Sequence, residues 1–128
     1  MKVSRPPCSF KDNRGEIIDI LKKDDIQYVT LITSVKGASR GHHYHKATIQ
    51  KVYILKGRMK MLTQMPGGPV EVTLLEAGDL ATNEKLERHG MIMLEDCDFM
   101  VFTQGIRGGE DYEKDTYRLS EPLKEPGT

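Results

Sequence analysis

The apolar residues of this chain gather in short runs of four to eight, broken about every ten positions by glycine, proline, asparagine or aspartate. That rhythm predicts an all-β sandwich or barrel. Pro6-Pro7 keeps the start irregular. SFKDNRGEIIDIL then predicts a hairpin: a short strand, a turn at Asp12-Asn13-Arg14-Gly15, and a second strand from Glu16 to Leu21. A polar connection, Lys22 to Asp25, leads into IQYVTLITSV, whose β-branched and aromatic residues favour a strand. RGHHYHK reads as the end of a loop entering a strand. IQKVYILKG and RMKMLTQM follow as strands, and MPGGP (Met65 to Pro69) is the clearest hairpin turn in the chain. VEVTLLEAGDL turns at Ala77-Gly78-Asp79, and HGMIML, EDCD and FMVFTQG form a last hairpin with Cys97 in its bend. Helix formers gather only in ATNEKLERHG (Ala81 to Gly90) and EDYEKDTYRL, each short enough to be one turn or an irregular loop. The expected layout is a single domain over residues 1–118 with a mobile tail over residues 119–128.

Composition narrows the classes of partner. At 128 residues the chain is one domain's worth. Its 19 Lys and Arg balance 19 Asp and Glu, which argues against an electrostatic footprint for nucleic acid or an anionic membrane. Cys8 and Cys97 lie in no CxxC pair, and MKVSRPPCSF lacks the apolar core of a signal peptide. Two free thiols in a reducing cytoplasm are therefore expected. The longest apolar runs, VYIL and FMVF, fall far short of the roughly 20 residues of a membrane span.

The chemistry-bearing residues concentrate in GASRGHHYHKATIQKVYILKG, from Gly37 to Gly57. Three of the four histidines stand there, at His42, His43 and His45, and the fourth is His89. Side chains two apart on a strand share a face, so His43 and His45 point together while Tyr44 points away. With Gln50 on the same inner face, Val52 and Ile54 line the cavity below it, and Lys51, Tyr53 and Leu55 face outward. His42 is set aside as a core or surface residue. The charge run Glu110 to Asp115 reads as a solvated face.

Gly37, His43, His45, Gln50 and Gly57 meet the spacing G-x5-HxH-x4-E-x6-G, which resembles the first motif of the cupin superfamily, with glutamine where glutamate is usual. Gly78 and His89 meet part of the second motif; Glu84, Leu86 and Met93 replace its proline, glycine and asparagine. Arg40, Gly41, His43, His45, Lys46 and Gln50 also fit a narrower pattern, RGxHxHKxxxQ, similar to the nucleotide-sugar 3,4-ketoisomerases. The opening FKDNRGEI resembles the start of the dTDP-4-dehydrorhamnose 3,5-epimerases, and DYEKDTYRL is similar to the end of these sugar-modifying cupins.

The resemblance implies a cupin double-stranded β-helix, or jelly-roll, barrel. It implies an isomerase or epimerase of a nucleotide-diphosphate-linked keto-sugar, working through an enediolate in cell-surface polysaccharide biosynthesis. His43 or His45 would be the base, since imidazole titrates near neutral pH. Arg40 and Lys46 suit a diphosphate, and Gln50 could hold a sugar hydroxyl or carbonyl. No cofactor is required on that reading. The rival is a metal-dependent cupin in which His43, His45, Gln50 and His89 hold Zn, Ni, Fe or Mn, although the loss of a glutamate charge weakens such a site. A non-catalytic sugar-binding cupin is the third alternative. A homodimer is expected from the family likeness and from the outward Tyr53 and Leu55, which would need cover.

Overall fold

A computed structural model gives the fold and describes residues 1–105 and 114–127. Among these the strands are β1 (Lys2–Ser4), β2 (Cys8–Asp12), β3 (Gly15–Ile18), β4 (Tyr28–Ser34), β5 (Ser39–Tyr44), β6 (Ile49–Lys56), β7 (Arg58–Gln64), β8 (Glu71–Glu76), β9 (Leu80–Asn83), β10 (Arg88–Met93), β11 (Cys97–Gln104) and β12 (Tyr117–Arg118). Two five-stranded sheets, β1-β9-β6-β11-β4 and β12-β5-β10-β7-β8, enclose the core, and β2-β3 forms a separate hairpin. Every strand pair is antiparallel. This is the jelly-roll architecture expected of the sequence. ATNEKLERHG, one of the two stretches with helix formers, is the end of β9, a turn and the start of β10. Part of the other, EDYEKDTYRL, lies outside the described residues, as does part of the charge run from Glu110 to Asp115. No helix among the described residues is long and apolar enough to cross a membrane.

Turn chemistry closes the sheets. The amide of Gly68 donates to the Met65 carbonyl at 2.9 Å, which tightens the MPGGP hairpin between β7 and β8. Gly57, between β6 and β7, has φ +85, and a Cβ there would lie 2.2 Å from the Asp96 carbonyl oxygen, so no other residue fits without moving the backbone.

The inward residues at one end of the barrel are apolar. Ile54, Met59, Met61, Leu75, Met93 and Phe99 are all 1 % exposed or less. Burying side chains of this size stabilises the fold by about 1.5–3 kcal/mol each. Cys97 belongs to this core as the first residue of β11 rather than to a hairpin bend, and burial, with help from Asp98 and Glu95, pushes its thiol up to about 11.

Two expectations need correction. Tyr53 is covered within the chain: it packs with Leu80 and Phe102 under Ile20, Leu21 and Ile26 of the β3–β4 connection, while Val29 and Leu31 of β4 stay exposed on the same sheet. Only Leu55, 46 % exposed, remains of the apolar pair from which a homodimer was argued. The segment after residue 118 is docked and not a loose tail. The amides of Leu119 and Leu123 donate to the carbonyl and Nδ1 of His42 at 3.0 Å each, Leu123 is buried, and Lys60 pairs with Glu125.

Candidate active site

Strand register assembles the site. In one sheet Asn83, Gln50 and Thr103 lie side by side on β9, β6 and β11. In the other, His43, His89 and Thr63 lie side by side on β5, β10 and β7. Residues directly opposite on paired strands share a face, so each sheet contributes one polar row. All six side chains are buried. Four of them, His43, Gln50, Asn83 and His89, line a cavity of about 280 Å³ together with Arg40 and Arg118, and Val52, Met91 and Val101 also line it.

A β-bulge aims the histidines. His89 pairs with His43 while Gly90 pairs with Gly41, so His42 is the extra residue of β5. It takes φ +59, a left-handed conformation uncommon outside glycine. Its ring lies over Gly90, where a Cβ would come within 2.5 Å of the imidazole. The bulge thus turns His42 onto the outside of β10, where it accepts from Leu123 and bonds Ser39 Oγ at 2.7 Å, and leaves His43 pointing inward. Burial holds the pKa of His42 below the ordinary histidine value.

The expected convergence of His43 and His45 is present. Their ring centroids are 4.8 Å apart, and His89 lies 4.7 Å from His43 and 5.3 Å from His45. The three do not stand equally. His43 and His89 line the cavity, whereas His45, buried like them, is not in its lining. His45 Nδ1 meets the Asp115 carbonyl at 2.7 Å, and His89 Nδ1 meets the Glu87 carbonyl at 3.1 Å. A carbonyl only accepts, so in both rings Nδ1 carries a hydrogen, and in the neutral form of either ring Nε2 is then the atom with the lone pair.

Asp115 also fixes the connection after β5. Its carboxylate accepts from the amides of Lys46 and Ala47 and from Thr48 Oγ1, at 3.0, 2.9 and 2.7 Å. Burial alone would raise its pKa, but these hydrogen bonds and the nearby His45 outweigh that and hold it below the usual carboxylate value.

The expected cations separate. Arg40 lines the cavity, and its guanidinium donates to Ser34 Oγ at 2.7 Å and to the Thr33 carbonyl at 3.3 Å, which orients the remaining donors. Lys46 is not in the lining: the turn held by Asp115 carries its ammonium over the Tyr117 ring, 4.4 Å from the centroid. The second cation at the cavity is Arg118 of β12, opposite His43. Tyr44 faces away, stacked on Tyr117 at 5.3 Å. Gln50 is in the lining and donates weakly to Thr103 Oγ1 at 3.5 Å.

Sequence reasoning missed Asn83, Arg118 and Asp115. Asn83 stood inside a stretch read for helix propensity, while Arg118 and Asp115 lay in a charged segment with no periodicity to orient them. Asn83 is 2 % exposed, and neither its Oδ1 nor its Nδ2 finds a partner among the described residues. Unsatisfied buried groups of this kind cost about 1–3 kcal/mol each.

The donor set also suits a metal. His43, His45 and His89 each bring a ring nitrogen to one place, all within 4.8 Å of one another, and two present Nε2 lone pairs fixed by Nδ1–H···O=C bonds.

The family described as Polysaccharide biosynthesis C-terminal domain matches residues 10–70, just under half of the chain. Comparison with curated proteins found no match. Among solved structures, a double mutant of the 3,4-ketoisomerase from Thermoanaerobacterium thermosaccharolyticum, in complex with TDP, is 26% identical; 92% of this chain covers 86% of that one, with a TM-score of 0.77. A 3,4-ketoisomerase from Helicobacter canadensis is 18% identical with a TM-score of 0.79, over 92% of this chain and 90% of that one. The dTDP-4-dehydrorhamnose 3,5-epimerase from Sulfolobus tokodaii is also 18% identical, with a TM-score of 0.76 over 95% of this chain and 81% of that one. In fold, then, the chain is similar to the sugar 3,4-ketoisomerases and the dTDP-sugar 3,5-epimerase.

Proposed function

We propose that the protein isomerises or epimerises a nucleotide-diphosphate-linked keto-sugar in cell-surface polysaccharide biosynthesis. One observation carries this reading: His43 stands in the wall of a cavity whose lining, among the described residues, carries Arg40 and Arg118 and no carboxylate. A cavity of about 280 Å³ falls just below the range for drug-sized ligands, so a sugar ring enters it while the nucleotide stays at the mouth. Arg40 and Arg118 meet the diphosphate there, in planar bidentate contacts that Lys46 could not reproduce.

His43 takes the proton from the carbon beside the carbonyl, and the electron pair of that C–H bond becomes the carbon–carbon double bond of an enediolate. The carbonyl π pair moves onto its oxygen as the enediolate forms. Returning the proton to the neighbouring carbon, while the hydroxyl proton passes from the first oxygen to the former carbonyl oxygen, moves the carbonyl; returning it to the opposite face of the same carbon inverts that centre. Gln50 offers an amide N–H to the developing oxyanion in a site mostly shielded from water, where such a contact has its largest effect. His45, held by Asp115 beside His43, positions that ring. The test is conversion of TDP-linked 4-keto-sugars, chosen because a structural neighbour binds TDP, followed by proton NMR. A carbonyl that moves or a centre that inverts supports the reading; unchanged spectra with every compound contradict it.

The three-histidine cluster favours a second reading. His43, His45 and His89, with Gln50, would hold a divalent transition metal, which supplies Lewis-acid polarisation of a substrate oxygen. Elemental analysis separates the two. A stoichiometric metal whose removal abolishes turnover would overturn the metal-free mechanism, and full turnover in metal-depleted protein would overturn this second one.

A further inference from the structure

We infer that Asn83 is a substrate-contacting residue: its side-chain amide reads the adjacent carbonyl and hydroxyl of the sugar. This rests on the function proposed above and adds to it a residue that neither the histidine motif nor the arginines imply. The starting observation is an amide with both polar atoms unpartnered among the described residues, 2 % exposed and lining the same cavity as His43 and His89.

Local structure does not use this amide. An asparagine at the end of a strand ordinarily caps the turn that follows. Here the turn after β9 is closed by Glu87, whose Oε1 accepts from the Glu84 amide at 3.2 Å and whose own amide donates to the Glu84 carbonyl at 3.3 Å. Register instead sets Asn83 opposite Gln50 on the inner face, so two amides stand side by side across the cavity from the histidine row.

The chemistry of that pair selects its ligand. A primary amide places one donor and one acceptor side by side, in whichever sense it is turned. An α-hydroxyketone presents the complement on neighbouring carbons, an oxygen that accepts and a hydroxyl that donates. The match persists when the carbonyl becomes an enediolate oxyanion, because Nδ2–H still faces an acceptor and Oδ1 still faces a hydroxyl. A sugar without the free hydroxyl beside its carbonyl would leave Oδ1 unpaired in a buried site, and such a loss is how a polar pocket rejects an analogue. Asn83 therefore favours keto-sugars whose neighbouring hydroxyl is unmodified.

The experiment uses Asn83→Leu and Asn83→Ala in the full chain. Three quantities are read: the thermal midpoint without ligand, the affinity for TDP, and deuterium exchange into a TDP-linked 4-keto-sugar in deuterated water. The inference predicts that exchange falls by roughly 100-fold, as for loss of one oxyanion donor. TDP affinity stays unchanged, and the midpoint of Asn83→Leu is unchanged or higher, because an amide without protein partners is replaced by an apolar side chain of similar size. A lowered midpoint in both variants would mean that the amide serves the fold, and undiminished exchange in either folded variant would mean that it does not touch the sugar; each result overturns the inference. Should Asn83→Leu fail to fold, the exchange rate of Asn83→Ala decides. Exchange by the wild type that persists in the variants removes Asn83 alone, whereas no exchange by the wild type with any such sugar removes the proposed function and this inference together.

Discussion

The two ends of the barrel interior are built on the same strands and differ in what those strands point inward. Along β6 the inward residues run Gln50, Val52, Ile54; along β10, His89, Met91, Met93; along β11, Thr103, Val101, Phe99. Paired registers align these gradients, so that Asn83, Gln50 and Thr103 face His43, His89 and Thr63 at one end, while Ile54 and Phe99 face Met59 and Met93 at the other. The apolar end is fully buried, and its groups need only one another. At the polar end burial is nearly as complete, yet polar atoms of His45 and Asn83 find no partner among the described residues. The same strand pairing thus yields an apolar layer that stabilises the fold and a polar layer that, on the function proposed above, is left for a ligand.

Substitutions separate the layers. Phe99→Ala at the apolar end should cost about 3–5 kcal/mol of stability, read as a large fall in the chemical-denaturation midpoint, with turnover per folded molecule preserved. Turnover lost in step with a minor stability change would blur the two layers. Arg118→Ala, at the cavity and remote from the apolar core, should leave the denaturation midpoint in place and raise KM for a nucleotide sugar by roughly tenfold, equivalent to about 1.4 kcal/mol. Steady-state kinetics with kcat reduced and KM unchanged would place Arg118 elsewhere in the mechanism.

The smallest effect concerns pH. Because the pKa of Asp115 is held below the ordinary carboxylate value, its contribution to stability is complete above about pH 4 and is lost as pH falls through its folded-state value. Asp115→Asn should flatten the acid limb of a thermal-midpoint profile between about pH 5 and pH 2. An unchanged limb would show that Asp115 does not couple the C-terminal segment to the connection after β5.

Much of this arrangement was legible in the chain itself. Alternation along RGHHYHK placed His43 and His45 together and Tyr44 outside, and the run from Gln50 to Ile54 declared which face of β6 points in. What could not be read depends on contacts between segments far apart in sequence. Tyr53 lies on the outer face as its alternation says, but only the packing of Ile20, Leu21 and Ile26 shows that the chain covers it. Lys46 matches a family pattern, yet its direction is decided by Asp115, sixty-nine residues away. Asn83 was hidden for the same reason: nothing in ATNEKLERHG marks it as inward until β9 is paired with β6.

The central claim is that His43 removes a proton from the carbon beside a sugar carbonyl. Its most direct measurement is deuterium incorporation at that carbon, followed by proton NMR of a TDP-linked 4-keto-sugar in deuterated water, with the wild type and with His43→Asn. The account predicts incorporation by the wild type and a rate lower by roughly 100- to 10,000-fold in the variant, with TDP still bound. Equal incorporation by both proteins, or none by the wild type with any such sugar, would contradict it.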